Sequence, residues 1–115
     1  MEFLEIMKAL SHENRLRILN LVKDEQLCVC EIEYVLDINQ SNASRHLNKL
    51  KQANLIVGER KAQWIYYKIN QEVIKEHKFL ELIIKQELKK ITICQEDEIK
   101  LKEYQQSGLS CQDLD

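Results

Sequence analysis

Apolar side chains recur every three or four residues over most of this chain, which is the period of helices with one buried face. The first apolar stripe is short and consists of Phe3, Ile6, Met7 and Leu10. A helix this short is marginal alone, so its apolar face needs a partner, within the subunit or across a dimer. Ser11 has the side chain of an N-cap, and we predict a second helix from about His12 to Lys23.

The following segment predicts two helices joined by a tight connection. Residues 24–36 are interpreted as a loop that runs into a short, partly buried helix. Asn39 is placed to cap the next helix, whose inward stripe is Ala43, Leu47 and Leu50. The other face has polar and cationic side chains and no acid: Ser41, Asn42, Ser44, Arg45, Asn48 and Lys49. The pattern predicts a helix-turn-helix whose second helix fits a DNA major groove, and the alternative is an ordinary solvated helix.

After Asn54 the period of the apolar positions changes from helical to alternating. Residues 55–60 and 64–69 are rich in residues that favour strands, and a short basic connection joins them. A β-hairpin with a cationic tip that follows a polar-faced helix is the wing of a winged helix, although a plain structural ribbon is the alternative. Residues 71–91 then predict one long helix or two collinear pieces, with an apolar face wide enough for a dimer interface.

The chain ends with a more polar region. We predict a charged helix from Glu96 to Tyr104, closed by Gly108, and a flexible tail that carries Cys111. The predicted fold is therefore mainly α with a small β-hairpin, a winged helix-turn-helix that dimerises through its N- and C-terminal helices. Residues 1–92 would form the DNA-binding and dimerisation domain, and residues 93–115 a C-terminal helical extension and tail.

Composition supports a compact, reduced, intracellular protein. The 115 residues include no proline and only two glycines, which favours helices with short connections. No apolar run approaches the roughly 20 residues that span a membrane, so we expect no membrane partner and a cytoplasmic location. The four cysteines are then expected to be thiols, available for metal or redox chemistry.

Charge is distributed unevenly along the chain. The formal net charge of -2 argues against nucleic acid as a partner when taken whole. Residues 40–68, however, contain six cations and one acid, a local charge of +5. Because attraction to phosphate depends on the local patch, this region stays a candidate DNA-binding surface.

Cys28 and Cys30 form a CxC pair at the start of the short helix before the polar-faced one. Two small buried side chains are the simpler interpretation of such a pair. On a regular helix residues i and i+2 do not face each other, so one ion could hold both sulfurs only where the turn is not helical. Thiolates select soft ions such as Cd(II), Pb(II), Zn(II) or trivalent arsenic and antimony. Two thiolates do not fill a zinc tetrahedron, which favours arsenite or antimonite, with Cys94 and Cys111 as candidate third ligands.

Four stretches together, in this order and spacing, resemble the ArsR/SmtB family of winged-helix metalloregulatory repressors, of the arsenic-repressor type. They are LSHENRLRIL at 10–19, LCVCEI at 27–32, QSNASRHL at 40–47 and WIYY at 64–67. The resemblance implies a homodimer that binds palindromic double-stranded operator DNA and represses transcription until a toxic ion releases it. Cys28 and Cys30 match the family's thiolate ligands.

The sequence departs from the family's pattern at several sites, including the cysteine motif and the wing tip. Glu33 stands where many arsenic-type members have a third cysteine, and Ala62-Gln63 replaces the usual glycine and cation at the wing tip. The predicted inducer is As(III) or Sb(III) on Cys28 and Cys30. The predicted DNA-binding residues are Gln40, Ser41, Asn42, Ser44, Arg45, Lys49, Arg60 and Lys61.

Three other functions stay open on the sequence. The same fold could sense Cd(II), Pb(II) or Zn(II), or thiol oxidation, through the same cysteines. The C-terminal helix could instead make the chain a protein-interaction module. An enzyme such as a thiol-dependent reductase has little support, since there is no Gly-rich phosphate loop and no CxxC pair. We therefore predict that the chain is not an enzyme.

Overall fold

The computed structural model describes residues 2–114 and is built of short helices around a small antiparallel sheet. The elements in chain order are α1 Glu2–Leu10, α2 Glu13–Val22, β1 Leu27–Cys28, α3 Val29–Leu36, α4 Gln40–Gln52, β2 Ile56–Lys61, β3 Trp64–Ile69, α5 Gln71–Glu76, α6 Lys78–Leu82, a π-helical turn Ile83–Glu87, a 3-10 turn Leu88–Lys90, α7 Thr92–Ser107 and α8 Cys111–Leu114. Helices α3 and α4 with the β2–β3 hairpin give the predicted mainly helical fold with a β-hairpin.

Most predicted elements are present, with different ends. Asn39 caps α4 as predicted, since its side-chain oxygen accepts a hydrogen bond of 2.9 Å from the Asn42 backbone N–H. The N-cap of α2 is His12 and not Ser11, because the His12 Nδ1 accepts from the Asn14 N–H at 3.1 Å. Ser11 instead donates its hydroxyl hydrogen bond back to the Lys8 carbonyl.

The sheet contains a strand that the sequence analysis took for a loop. In the order β1-β3-β2, Leu27 pairs with Tyr67 and Cys28 with Tyr66. A two-residue strand has no period to detect, so only its partner reveals it. The first cysteine of the pair is thereby hydrogen-bonded into the sheet that forms the wing.

The segment 71–91 is not a continuous helix. It breaks at His77, whose backbone is extended (φ -127, ψ 99), and continues through the π-helical and 3-10 turns. Its apolar side chains still meet those of α1, with the rings of Phe3 and Phe79 edge to face at 5.5 Å. Several apolar side chains on α1 and the helices after His77 stay exposed: Phe3, Leu4, Met7, Leu82 and Ile91. Dimerisation through these helices stays a prediction.

The C-terminal region, called the arm below (residues 92–114), is longer and more ordered than predicted. Helix α7 runs from Thr92 to Ser107, and Gly108 closes it in the left-handed region (φ 81), as expected for that glycine. The expected flexible tail is wrong, because residues 111–114 form α8 with Cys111 buried. The arm contributes Leu101 and Tyr104 to the same apolar core as α2 and α3.

A buried ion pair fixes α7 on α2. The Arg17 guanidinium donates two hydrogen bonds to the Asp97 carboxylate, at 2.8 and 2.9 Å, with both side chains largely buried. A third, longer bond of 3.3 Å runs from Arg17 to the Leu36 carbonyl at the end of α3. The hydrogen bond to Asp97 raises the pKa of Arg17, against the opposing effect of burial. One side chain therefore connects α2, α3 and the arm.

We predict that Asp97→Asn lowers the free energy of unfolding by about 3 kcal/mol, because it leaves a buried guanidinium without its countercharge. Urea unfolding of the purified chain measures this. The matched control is Glu81→Gln, which breaks the exposed Lys78–Glu81 pair and should cost at most about 0.5 kcal/mol. Equal losses for the two variants would show that the Arg17–Asp97 pair is not a structural link.

Candidate metal and DNA-binding site

The cysteine pair lies across the junction of β1 and α3. Cys28 is the N-cap residue of α3 and has an extended backbone (φ -83, ψ 166), while Cys30 lies in the first helical turn. The backbone at Cys28 is thus outside the helix, which is the condition under which one ion could hold both sulfurs. The N-terminus of α3 also carries a partial positive charge that favours thiolates.

The environments of the two cysteines differ. Cys28 is 1% exposed, and its sulfur forms a disulfide with Cys111 of α8. Cys30 is half-buried and lines an open groove together with Cys28, Gln40, Ser44 and Trp64. The groove brings the cysteine pair next to the start of α4 and next to the wing. Sequence reasoning named Cys111 as a candidate third ligand, and the structure places Cys111 at Cys28; Cys94 lies elsewhere, on α7.

Glu31 completes the surroundings of Cys28. Its carboxylate accepts a hydrogen bond of 3.0 Å from the Cys28 N–H and one of 2.6 Å from the Tyr104 hydroxyl. Burial, reinforced by this bond to Glu31, raises the pKa of Tyr104, so its hydroxyl stays protonated as a donor. A carboxylate oxygen of Glu31 lies within 4.8 Å of both the Cys28 and the Cys111 sulfur. Glu31 was not predicted as part of the site, although an acidic side chain three residues after the N-cap was the available signal.

The predicted DNA-binding residues are mostly accessible and belong to α4 and to the tip of the hairpin. Six of the eight are exposed and two, Asn42 and Ser44, are half-buried. The Arg45 guanidinium donates to the Asn42 side-chain oxygen at 2.9 Å, so these two side chains are oriented together. Arg60 and Lys61 end β2 at the wing tip, where Ala62 turns with a left-handed backbone (φ 58). The role of these residues in binding DNA stays a prediction.

A buried histidine on the inner side of α4 was not identified from the sequence. The ring of His46 lies 4.2 Å from that of His12, and its Nδ1 is 3.3 Å from an Arg15 guanidinium nitrogen. Since Arg15 can only donate, His46 is neutral and accepts at Nδ1. Arg15 also donates to the Ala9 carbonyl at 2.6 Å, so α1, α2 and α4 meet here. Within residues 2–114, His46 Nε2 has no hydrogen-bond partner.

Comparisons with known proteins agree with this architecture. A sequence model described as "Bacterial regulatory protein, arsR family" matches residues 12–57. The arsenic resistance transcriptional regulator ArsR1 of Pseudomonas putida is 39% identical over 69 residues, covering 59% of this chain and 54% of that protein. The transcriptional repressor SdpR of Bacillus subtilis is 38% identical over 71 residues, 62% of this chain and 79% of that one. This chain thus spans about half the length of the Pseudomonas regulator.

A solved structure of the same architecture supports the fold. The homodimeric winged helix-turn-helix DNA-binding domain Mb0332 of Mycobacterium bovis, described as a possible ArsR-family regulator, superposes with a TM-score of 0.64. It is 25% identical, over 79% of this chain and 85% of that one. The predicted winged helix-turn-helix is therefore confirmed. Because the matched proteins are transcription regulators, the expectation that the chain is not an enzyme is confirmed too. No helix within residues 2–114 is both long and apolar enough to cross a membrane.

Burial, followed in effect by the charges of His12 and Arg45, lowers the pKa of His46 to about 4. As the pH falls, His46 therefore becomes protonated near pH 6.5 in the unfolded chain but only near pH 4 in the folded chain. The stabilisation is complete above pH 6.5 and is lost as the pH falls toward 4, by about 3 kcal/mol. We predict that His46→Gln flattens this part of the stability profile, measured by urea unfolding between pH 4 and 7. An unchanged slope in the variant would assign the pH dependence to other groups.

Proposed function

The chain belongs to the ArsR family of bacterial regulatory proteins, and from this we propose that it is a cytoplasmic, homodimeric transcriptional repressor that trivalent arsenic or antimony releases from operator DNA. The observation that carries the proposal is the position of the cysteine pair. Cys28 and Cys30 line one groove with Gln40 and Ser44, two of the predicted DNA-binding residues. A change at the sulfurs therefore reaches the front of α4 directly.

The polar face of α4 and the wing would contact DNA in different ways. Arg45, Lys49 and the polar residues of the first turn of α4 can reach base edges and phosphates in the major groove. Arg60 and Lys61 at the wing tip can neutralise flanking phosphates. Exposed apolar side chains of α1 and of the helices after His77 would bury against a second copy, giving the two-fold symmetry that a palindromic operator needs.

Among residues 2–114, Cys28, Glu31 and Cys111 have ligand atoms within 4.8 Å of one another and offer a thiophilic ion two sulfurs and a carboxylate, with Cys30 in the first turn of α3. Cys28 and Cys30 would hold it with thiolate ligands, and a bound ion supplies a rigid link between β1 and the first turn of α3. Cys28 pairs with Tyr66 in the wing, while α3 packs against α4 through its buried side chains. A displacement of Cys28 thus moves both DNA-binding elements. Release needs a coupling of about 1–3 kcal/mol between the two sites, and DNA must weaken ion binding by the same factor.

The disulfide between Cys28 and Cys111 favours a second candidate signal, thiol oxidation. A hydroperoxide would accept two electrons from the two thiols and leave as an alcohol and water, while the two sulfurs form the bond. Cys30 takes no part in this reaction. Ions such as Cd(II), Pb(II) and Zn(II) are the third possibility, because they select the same thiolates.

We expect Cys28→Ser to abolish release from operator DNA by both arsenite and peroxide, since both signals need the sulfur at the junction. Cys30→Ser should abolish the response to arsenite and keep the response to peroxide if oxidation is the signal. Fluorescence anisotropy of labelled operator DNA measures release, with Cys94→Ser as the control that keeps every response. A Cys28→Ser, Cys30→Ser double variant that still releases DNA on adding arsenite would overturn the proposed sensor.

We predict that Arg60→Ala together with Lys61→Ala weakens binding to all duplex sequences alike, because phosphate contacts carry no sequence information. The slope of log affinity against log salt should fall by about 0.9 for each lost contact. Lys102→Ala, which removes an exposed cation from α7, is the control and should leave the slope unchanged. An unchanged slope in the double variant would exclude the wing tip from the DNA interface.

A further inference from the structure

Helix α8 returns the end of the chain to the cysteine pair. After Gly108 the chain reverses, and Ser110 begins α8 by donating its N–H and hydroxyl hydrogen bonds to Asp113, at 2.7 and 3.1 Å. Cys111 is 4% exposed, with its sulfur 3.7 Å from the Tyr66 hydroxyl on β3. A residue 83 positions from Cys28 is thus placed at the junction of β1 and α3.

The contacts of α8 reach both cysteines of the pair. Cys111 meets Cys28 directly, as their disulfide shows. At its other end, Leu114 lines a pocket together with Cys30 and Glu33. Glu33 is the position at which a third cysteine was missing from the sequence pattern. The helix that carries Cys111 therefore lies against the part of α3 where an additional sulfur is needed.

We propose that in the reduced protein Cys111 supplies the third sulfur of a trivalent arsenic or antimony site with Cys28 and Cys30. The inference rests on the proposed function, since it adds a ligand to the same site. Arsenous acid has three hydroxyl groups, and each leaves as water with the proton of one thiol while one arsenic–sulfur bond forms. No electrons are transferred in this exchange. The disulfide must first accept two electrons from a reductant such as a phosphine, which takes an oxygen atom from water to become the phosphine oxide while the two protons of that water go to the two thiols.

Glu31 and Tyr104 are positioning residues in this site. The Tyr104 hydroxyl and the Cys28 N–H hold the Glu31 carboxylate within 4.8 Å of the Cys28 and Cys111 sulfurs. A carboxylate can take a thiol proton and pass it to a departing hydroxyl once the two groups come within hydrogen-bond reach, directly or through one water. Tyr104 belongs to α7, so the same hydrogen bond also fixes the arm next to the site.

Cys94 provides a matched comparison for Cys111. It is also buried in the arm, at 1% exposure, and its carbonyl accepts from the Asn20 side chain at 3.2 Å. Burial, followed by the charge of Asp97, raises the pKa of its thiol. It lines a different pocket, next to Leu10 and His12. Cys94→Ser therefore removes a buried thiol of the arm without touching the proposed site.

The test compares two arsenic compounds that need different numbers of sulfurs. Arsenous acid can take three thiols, whereas phenylarsonous acid has only two exchangeable hydroxyls and takes two. Binding is followed in a phosphine reductant by the fluorescence of Trp64, the chain's one tryptophan, which lines the groove with Cys28 and Cys30. X-ray absorption of the arsenic complex counts its sulfur neighbours.

For Cys111→Ser we expect arsenite affinity to fall about a hundredfold, as for the loss of one donor atom of a chelate. The number of sulfur neighbours of arsenic should drop from three to two. The affinity for phenylarsonous acid should equal that of the unchanged protein, which also shows that the variant is folded. Cys94→Ser should match the unchanged protein with both compounds. If Cys111→Ser keeps its arsenite affinity and three sulfurs, the third ligand is not Cys111, while the proposed function stands. If the Cys28→Ser, Cys30→Ser double variant still binds phenylarsonous acid, both proposals fail.

Discussion

The structure depends on the junction between β1 and α3 at Cys28. This one residue is the last of β1, where it pairs with Tyr66, and the N-cap of α3, where its N–H donates to Glu31. An N-cap needs extended dihedral angles, and so does a strand, so a single conformation serves both. The wing and the helix-turn-helix are thereby joined at a residue whose side chain is a potential ligand. Any force on the sulfur would act on the β1–β3 pairing and on α3 at once.

Hydrogen bonds from the arm stabilise this junction. Arg17 connects α2, the end of α3 and Asp97 of α7, and Tyr104 connects α7 to Glu31. Apolar contacts alone would let α7 slide along the domain, because they have no direction. Buried hydrogen bonds to charged groups define one position, since leaving any partner unpaired is costly. The arm therefore holds Cys111 at a defined place.

The sequence predicts well those features that depend on neighbouring residues. The polar face of α4, its Asn39 cap and the hairpin with a basic tip are local patterns, and the structure contains them. Features that depend on distant residues were missed or wrong. The strand β1 exists only because β3 lies beside it. The segment 71–91, predicted as one long helix or two collinear pieces, breaks at His77, where no proline or glycine marks the position.

In the candidate site, too, the features set by neighbouring residues are predictable and those set by distant residues are not. The CxC pair can be found from spacing, and its helix can be placed before α4 from periodicity. That Cys111 and not Cys94 lies at Cys28 follows from the path of the whole arm, including the turn after Gly108 and the orientation of α7 on α2. Glu33 in the place of a third family cysteine made the site look incomplete. The sulfur that the structure places at Cys28 belongs to Cys111, 83 residues away in the chain, a separation that no local pattern can reveal.

The arm and the predicted DNA-binding region have opposite net charges. Residues 92–114 contain five acids (Glu96, Asp97, Glu98, Glu103 and Asp113) and two lysines (Lys100 and Lys102), a net charge of -3, in contrast to the +5 of residues 40–68. Phosphate would repel a segment of this net charge, so the arm does not extend the cationic surface of residues 40–68. An acidic arm held at the junction can still change the position of α3 and β1 without competing for the same DNA. Under the proposed function, separating the segment that bears Cys111 from the predicted DNA-binding surface would let ion and DNA bind at different places and oppose each other through Cys28.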